Sequence, residues 1–345
     1  LARRLLEPLA QQLGGARQWI VSPDGALAQL PFELLPYGEK GEPAIAAVDI
    51  HYTQSLSVLA QGRARQRQYE GLGSRRALFA MGNPQYEQQQ VSRQQRRALA
   101  GQAVRTVQQL RELDGMWQNL PGTEREVRAV AALFAGQGVN VQLGERATEH
   151  NLQGLSGGEL REYRYLLFST HGYVSAEQPG LSSVVLGLTN RAAGTDGYVT
   201  AAEWPGYDLR SDVAVLSACD TGVGRVVTGE GVMGLPYALF VAGNVNTVLT
   251  LWPVEDDATA AFVRALFGRL KAGQSPGRAL SETKRQFVRS PPKPGYGNPA
   301  VWAPFVLVGA GWESRGGQGA VELAYPARAR PRRSVSSTHW KESIC

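Results

Sequence analysis

Short, almost wholly apolar segments alternate with helix-like segments along this chain, and they constrain its fold more than any other feature. The clearest two are YRYLLFST at 163–170 and DVAVLSA at 212–218. A strand that is apolar on both faces needs cover on both sides, which is typical of a parallel sheet between two layers of helices. The pattern therefore predicts an α/β fold with a mainly parallel sheet and helices on both faces.

Further segments continue this alternation. We predict additional strands at 16–23, 44–52, 76–84, 139–143, 183–188, 246–252 and 303–309, and helices at 1–13, 54–61, 121–136, 230–242, 256–272 and 276–289. Near the start of the third helix, Thr123 and Glu126 stand three residues apart, which predicts a capping box with Thr123 as the N-cap. The acidic pair Asp256 and Asp257 is interpreted as capping the helix that it opens.

We divide the chain into an N-terminal part at 1–70, a core at 71–311 and a tail at 312–345. The tail is rich in Gly, Arg, Pro and Ser, and we expect it to be a disordered basic segment. Within the core, residues 84–120 are rich in Gln and Arg, which predicts an insertion that forms a solvent-exposed loop or a surface helix. The chain begins with Leu1 inside a helix-like segment, so we expect a further segment to precede it.

The net charge of +6 is unevenly distributed. Residues 61–111 contain ten Arg and only two acidic residues, Glu70 and Glu87. A basic surface can bind nucleic acid. These Arg stand among Gln with few aromatic residues, so we favour a solvated surface and expect no direct nucleic-acid partner. The sequence has no run of about twenty apolar residues, the length that a membrane span needs, so we expect no membrane association.

Of the two cysteines and four histidines, only Cys219 and His171 directly follow apolar strands. Ligands bind beyond the carboxyl ends of the strands in open parallel sheets, so both side chains would share one edge if the strands are parallel neighbours. An imidazole beside a thiol can generate a nucleophilic thiolate. Each residue alone suits a structural role equally well, Cys219 as a small buried side chain and His171 as a locally bonded strand end. Their joint placement favours catalysis.

The other histidines and the second cysteine lack this context. His51, His150 and His339 are interpreted as structural or surface residues, and Cys345 lies in the tail. The Cys and His spacing does not predict a metal site, and we expect no cofactor. Because a disulfide between the two cysteines is not expected, we predict a cytoplasmic location.

Groups beside the two candidate residues indicate how a substrate would be bound. The backbone N–H groups of Gly172 and Cys219 are candidate donors to an oxyanion. Asp220 and Glu230 are candidates for an acidic pocket, which would prefer Arg or Lys at the cleavage position. The Gly-rich run at 221–234 lacks the G-K-[S/T] of a P-loop, and the G-x-S-x-G at 273–277 lies between two predicted helices rather than at a strand-to-helix turn. Nucleotide binding and α/β-hydrolase chemistry are therefore not predicted.

SACDTG at 217–222 resembles the caspase-type nucleophile signature, with His171 48 residues before Cys219. Further distinctive stretches are VSPDGALAQLPFELL, LPGTEREV, STHGYVSAEQPGLSSVVL, VLSACDTGVG, GEGVMGLPYALFVAG, TLWPVEDDATAAFVRALF and PAVWAPFVLVG. In their order over about residues 1–311, these motifs resemble those of the CHAT domain family. Members of this family are caspase-like peptidases that are often joined to tetratricopeptide (TPR) repeats and are related to separase.

The resemblance implies a caspase–hemoglobinase fold, with 1–70 as the N-terminal part of the CHAT region and 71–311 as the catalytic core. It implies a cysteine endopeptidase in which the Cys219 thiolate attacks a peptide carbonyl and His171 is the general base. A protein substrate follows from this, with a regulatory protein or an upstream TPR region as a candidate partner. We expect the insertion at 84–120 not to contact the dyad. The alternative is a catalytically silent CHAT scaffold that only binds other proteins.

Overall fold

The protein is described by a computed structural model that covers residues 1–86, 104–175, 178–189, 191–217 and 230–311, without the side chains of 230–233. The chain divides into two units, and residues 1–16 belong to a different unit from residues 17–311. In residues 1–16 the predicted single helix is wrong. Two short helices, α1 (Ala2–Leu5) and α2 (Ala10–Leu13), flank a 3₁₀ turn at Glu7–Leu9. Pro8 lies in that turn, and a proline has no N–H with which to continue an α-helix.

Eight strands of the larger unit form one sheet. They are β1 (Gln18–Val21), β4 (Asp49–Tyr52), β5 (Arg76–Gly82), β6 (Val139–Leu143), β7 (Tyr163–Ser169), β11 (Val213–Ser217), β12 (Asn246–Thr250) and β13 (Phe305–Gly309). Their order across the sheet is β1-β4-β13-β12-β11-β7-β5-β6. Each neighbouring pair is parallel except β12 and β13, which are antiparallel. The predicted mainly parallel sheet is therefore confirmed.

Two smaller sheets accompany the main one. The strands β8 (His171–Tyr173), β9 (Ser183–Val185) and β10 (Tyr198–Thr200) form an antiparallel sheet in the order β10-β9-β8. The strands β2 (Pro36–Tyr37) and β3 (Glu42–Pro43) form an antiparallel pair. The segment predicted as a strand at 183–188 thus belongs to a sheet of its own, and its strand ends at Val185.

Helices cover both faces of the main sheet. The described helices of the larger unit are α3 (Leu56–Glu70), α4 (Val107–Arg111), α5 (Pro121–Leu133), α6 (Glu149–Gly154), α7 (Glu230–Ala242), α8 (Asp256–Lys271), α9 (Pro276–Arg289) and α10 (Pro299–Trp302). Further 3₁₀ turns lie at Gly25–Gln29, Phe32–Leu34, Ala44–Ala46, Asp114–Met116, Gly144–Arg146, Leu160–Glu162, Pro179–Leu181 and Trp204–Gly206. No helix in the described ranges is long and apolar enough to cross a membrane.

Alternate residues of the central strands enter two different hydrophobic clusters. In β7, Tyr165 and Leu167 pack in the cluster that contains residues of α5, α8 and α9. Leu166 and Phe168 pack on the opposite face, in the cluster that contains residues of α7. Because successive side chains of a strand point to opposite faces, this division explains why the strand sequence is apolar throughout.

The strands β1 and β4 join the N-terminal region to the core, and a buried ion pair reinforces the connection. The Nζ atom of Lys284, in α9, lies 2.5 Å from Oε1 of Glu33, and both side chains are almost fully buried. The Tyr52 hydroxyl donates a hydrogen bond to Oε2 of the same carboxylate at 2.5 Å. Burial lowers the pKa of Lys284, while the Glu33 charge opposes that change.

Candidate active site

The strands β7 and β11 bring two chain segments together at the carboxyl edge of the sheet. They are parallel neighbours, and the Cα atoms of Ser169 and Ser217 are register partners. His171 follows Ser169 by two residues, and Cys219 follows Ser217 by two residues in the sequence. The condition for a shared edge, that the two strands are parallel neighbours, is therefore met. Cys219 and Asp220 lie outside the described residues, so the predicted contact between Cys219 and His171 stays a prediction.

His171 is 1% exposed and is held at its Nε2 atom. That nitrogen lies 2.7 Å from the backbone carbonyl oxygen of Gln118. A carbonyl oxygen only accepts hydrogen bonds, so Nε2 carries the proton in the neutral ring. The lone pair of the neutral imidazole then lies on Nδ1, which is the atom that can act as a base.

Two aromatic rings pack against the imidazole of His171. The ring centroids of Tyr86 and Trp117 lie 5.1 Å and 5.0 Å from it. The Tyr86 hydroxyl donates to the carbonyl oxygen of Val185 at 2.8 Å. Burial raises the pKa of Tyr86 well above its ordinary value, so this hydroxyl stays protonated.

Trp117 is itself held by a chain of polar contacts. Its Nε1 donates to the Tyr198 hydroxyl at 2.8 Å, and that hydroxyl donates to Oδ1 of Asp114 at 2.8 Å. Oδ2 of Asp114 forms an ion pair with Arg191. The orientation of the ring beside His171 therefore depends on residues of β10 and of the loop before it.

A small cavity lies beside these strand ends, between the first turns of α5 and α8. Its volume is about 120 Å³. Its lining residues are Leu120, Gly122, Thr123, Glu126, Thr170, Ser217, Pro253, Val254, Asp256 and Thr259. Thr170 directly precedes His171, and Ser217 stands two residues before Cys219 in the sequence, so the cavity adjoins the strand ends that lead to the candidate dyad.

Glu126 lies at the inner side of this cavity and is 2% exposed. Its Oε1 accepts a hydrogen bond from the Ser169 hydroxyl. Burial raises the pKa of Glu126 to about 7, and the Asp256 charge adds to this, while the hydrogen bond from Ser169 and the nearby Ser217 hydroxyl oppose it. The carboxyl group therefore changes its charge near neutral pH.

Asp256 begins α8 and is exposed at the outer side of the cavity. A Cβ atom built at Gly122 would lie 2.9 Å from its Oδ2, so the glycine allows this side chain to approach α5. Asp257 instead faces outward and pairs with Arg125 at 3.2 Å and Lys293 at 3.6 Å. The two acidic residues, which the sequence analysis treated alike, thus have different surroundings.

The classification of the chain follows from its match to the sequence model of a protein family. The family model of the CHAT domain matches residues 1–310. The chain belongs to the CHAT domain family. That match covers nearly all of the described structure, including the strand ends and the cavity.

Curated relatives of this CHAT domain include tetratricopeptide repeat protein 28 of Mus musculus and of Homo sapiens. They are 31% and 30% identical to it over 138 residues, which is 38% of this chain. The aligned region is only 6% and 5% of the length of those relatives. Two solved structures of the Saccharomyces cerevisiae separase–securin complex are also similar. Their TM-scores are 0.44 and 0.45, with 15% and 14% identity, over 76% of this chain and 14% of theirs.

The CHAT domain structure corrects the prediction of a solvent-exposed insertion at 84–120. Tyr86 and the segment 104–120 pack against the small antiparallel sheet, and residues 87–103 lie outside the description. The insertion was also expected not to contact the dyad, but Tyr86, Trp117 and Gln118 all contact His171. Apolar residues at 110, 113, 116 and 117 were the available signal, and the Gln and Arg bias concealed it.

The predicted capping box is wrong as well. The helix α5 begins at Pro121, so Thr123 and Glu126 lie inside the helix and the N-cap is Leu120. The Thr123 hydroxyl donates to the carbonyl oxygen of Leu120 at 2.7 Å and accepts from the backbone N–H of Asn83 at 2.8 Å. A proline is well suited to the first position of a helix, which was the overlooked signal.

The remaining site predictions have mixed outcomes. Gly172 lies in β8 as the register partner of Val184, and its role as an oxyanion donor stays a prediction. Glu230 begins α7, but its side chain lies outside the description. His51 is buried and His150 is exposed, as their interpretation as structural or surface residues requires. Within the described ranges, no group of three or more His, Cys, Asp and Glu side chains is placed to hold a metal ion.

Proposed function

We propose that this CHAT domain is a cysteine endopeptidase in which the thiolate of Cys219 attacks a peptide carbonyl and His171 is the general base. The observation that supports this most is the register of β7 and β11. Ser169 and Ser217 are partners, and His171 and Cys219 follow them at equal sequence distance. Ligands bind beyond the carboxyl ends of the strands in an open α/β sheet, and a catalytic pair needs its nucleophile and base within hydrogen-bond reach.

The proton transfers follow from the contacts of His171. Gln118 accepts from Nε2, so Nδ1 takes the proton of the Cys219 thiol. The thiolate forms a bond to the substrate carbonyl carbon, and the N–H groups of Gly172 and Cys219 are the proposed donors to the resulting oxyanion. The protonated imidazole then gives its proton to the leaving amine as the C–N bond breaks, which leaves a thioester on Cys219. Water, deprotonated by the same imidazole, hydrolyses the thioester and restores the thiol.

We propose a protein substrate with a basic side chain in the cavity beside the dyad. The ionisable groups that line this cavity, within the described residues, are the carboxyl groups of Glu126 and Asp256. Carboxylates bind the guanidinium of Arg or the ammonium of Lys through charge-assisted hydrogen bonds. Asp220 and Glu230 stay additional candidates from the sequence.

We also propose a partner and a cellular location for this domain. A regulatory protein or an upstream TPR region is the proposed partner, which fits the names of the two curated relatives. Stacked TPR helices form a protein-binding surface. A catalytic thiol must remain reduced, which fits the cytoplasm.

One observation favours the alternative function, a catalytically silent CHAT scaffold. His171 is 1% exposed and lies between the rings of Tyr86 and Trp117. A general base has to reach the reacting groups, so a permanently covered imidazole would be structural.

An electrophilic peptide probe distinguishes the two functions. A peptide that ends in Arg and carries an acyloxymethyl ketone should label Cys219, as located by mass spectrometry of the digested protein. Cys219→Ala should remove the label and His171→Ala should slow it at least a hundredfold, because the members of a cooperating pair act as a unit. His150→Ala, which changes an exposed histidine, is the matched control. Equal labelling of the wild type and His171→Ala would contradict the dyad.

A further inference from the structure

We propose that Glu126 is a specificity-determining residue whose own protonation decides whether the cavity prefers a cationic or a neutral side chain of the substrate. This inference rests on the proposed function and adds a pH-dependent selection to it. Four observations support it: the size of the cavity, its charge, the position of Glu126 and the groups that face it.

The size of the cavity suits one side chain. Its volume of about 120 Å³ is well below the roughly 300–1,000 Å³ of a small-molecule site. The cavity opens at the carboxyl ends of two strands, where Thr170 follows β7 and Ser217 ends β11. A substrate held at the candidate dyad would therefore have a side-chain pocket within reach.

The charge of the cavity is entirely acidic. Among its described lining residues, Glu126 and Asp256 are ionisable and none is basic. Arg125 and Lys293 pair with Asp257, which is not a lining residue. With both carboxyl groups ionised, the cavity carries two negative charges and favours a guanidinium.

Glu126 occupies the inner position and Asp256 the outer one. Glu126 is almost fully buried, whereas Asp256 is exposed. A cationic side chain that passes Asp256 would therefore meet Glu126 at its end. A protonated Glu126 carries an O–H donor as well as an acceptor, so the same position would then suit a neutral amide or urea group.

Because of the groups around Glu126, both its ionised and its protonated form are populated near neutral pH. The Ser169 hydroxyl from β7 donates to the carboxylate, and both it and the nearby Ser217 hydroxyl from β11 favour ionisation, while burial and Asp256 from α8 oppose it. The result is a pKa of about 7. A bound guanidinium shifts the balance toward the ionised form, so binding of Arg should release a proton below neutral pH.

The test uses two peptides that differ only in charge. Acetyl-Ala-Ala-Arg-Gly amide and its citrulline counterpart have nearly the same shape, but only the first carries a guanidinium. Their affinities for the Cys219→Ala protein are measured by calorimetry from pH 5.5 to 8.5, in buffers with different ionisation enthalpies. Thermal unfolding confirms that each variant is folded.

As the pH rises toward 7, the preference for the Arg peptide should grow by up to tenfold per pH unit, and it should level off above pH 8. Binding of the Arg peptide should release close to one proton at pH 6, and binding of the citrulline peptide should release none. In Glu126→Gln the preference should be small and independent of pH. Asp257 is on the same helix as Asp256 but faces outward. The variant Asp257→Asn should therefore bind both peptides as the Cys219→Ala protein does.

A pH-dependent preference that survives Glu126→Gln would overturn the inference, as would equal binding of both peptides at pH 8. These binding measurements need no catalysis. They are therefore separate from labelling of Cys219, which decides the proposed function. A silent scaffold could still show the selection, and an active peptidase could lack it.

Discussion

The Nε2 atom of His171 lies 2.7 Å from the backbone carbonyl oxygen of Gln118, 53 residues earlier in the chain. The candidate base is therefore oriented by a segment that belongs neither to its own strand nor to the strand that leads to Cys219. The neighbouring Trp117 ring adds a second contact from the same segment. A change in the segment 104–120 should consequently alter catalysis without any change in the dyad itself.

Trp117→Leu tests this dependence on the segment. We expect the rate of Cys219 labelling and the turnover number to fall at least tenfold, because the imidazole loses the ring that fixes its position. Trp117→Phe retains an aromatic ring and should recover most of the rate. Parallel pH–rate profiles separate the orientation of His171 from general loss of folding. If Trp117→Leu labels at the normal rate, the ring has no positioning role.

Gly122→Ala tests the close approach of Asp256 to α5. The new Cβ would lie 2.9 Å from Oδ2 of Asp256, so the carboxylate must move away from the cavity. We expect a several-fold loss of affinity for the Arg peptide, while stability changes little because Ala is a better helix residue than Gly. Gly154→Ala in α6, where the added Cβ meets nothing within 4 Å, is the matched control. Unchanged affinity in Gly122→Ala would contradict a role for Asp256 in the cavity.

The buried ion pair of Lys284 and Glu33 leads to a prediction about the stability of two variants. Lys284→Met leaves a buried carboxylate without its cation, which should lower the free energy of unfolding by about 3–5 kcal/mol. The double variant Lys284→Met, Glu33→Leu removes the uncompensated charge and should recover most of that loss. Urea denaturation of both variants measures the difference. A double variant that is no more stable than the single one would show that the pair contributes more than charge compensation.

Glu126 and His51 should give opposite pH dependences of stability. Burial raises the pKa of Glu126 from 4.5 to about 7, so its contribution is present below pH 4.5 and is lost as the pH rises through 7. Burial lowers the pKa of His51 from 6.5 to about 4, so its contribution is present above pH 6.5 and is lost as the pH falls through 4. Each group changes the free energy of unfolding by on the order of 3 kcal/mol. Between pH 4.5 and 6.5 their opposite pH dependences nearly cancel.

Urea denaturation between pH 4 and 8 can separate these contributions. Glu126→Gln should show a free energy of unfolding that rises steeply from pH 4 to 6.5, and His51→Gln one that falls from pH 4.5 to 7. His150→Gln, at an exposed position, should follow the wild type. Superimposable profiles for all three variants would show that neither buried group controls the pH dependence.

Much of the main sheet could be predicted because its strands are apolar on both faces. β6, α7 and α9 have the predicted bounds, and β7 and β11 end within one residue of the prediction. The antiparallel direction of β13 could not be predicted, since a short apolar run does not encode its direction. The small sheet of β8, β9 and β10 was missed for a related reason, because antiparallel pairing of three-residue strands leaves little periodicity.

Less of the candidate site than of the fold could be predicted from the sequence. His171 could be selected because it follows a buried strand. Glu126 could not, because its position three residues after Thr123 equally suits a capping box, and only the packing of α5 on β7 shows its contact with Ser169. Gln118 acts through its backbone carbonyl, a group that every residue has, so side-chain chemistry gives no signal for it.

The single antiparallel pair, β12 with β13, gives the main sheet two separate sets of strand carboxyl ends. β5, β6, β7, β11 and β12 end at the edge with the candidate site, whereas β1, β4 and β13 end at the opposite edge. A strand of five residues spans about 17 Å. A molecule that binds beyond Val21 and Tyr52 would therefore be remote from His171, and any effect on the reaction would have to pass through the sheet as long-range coupling.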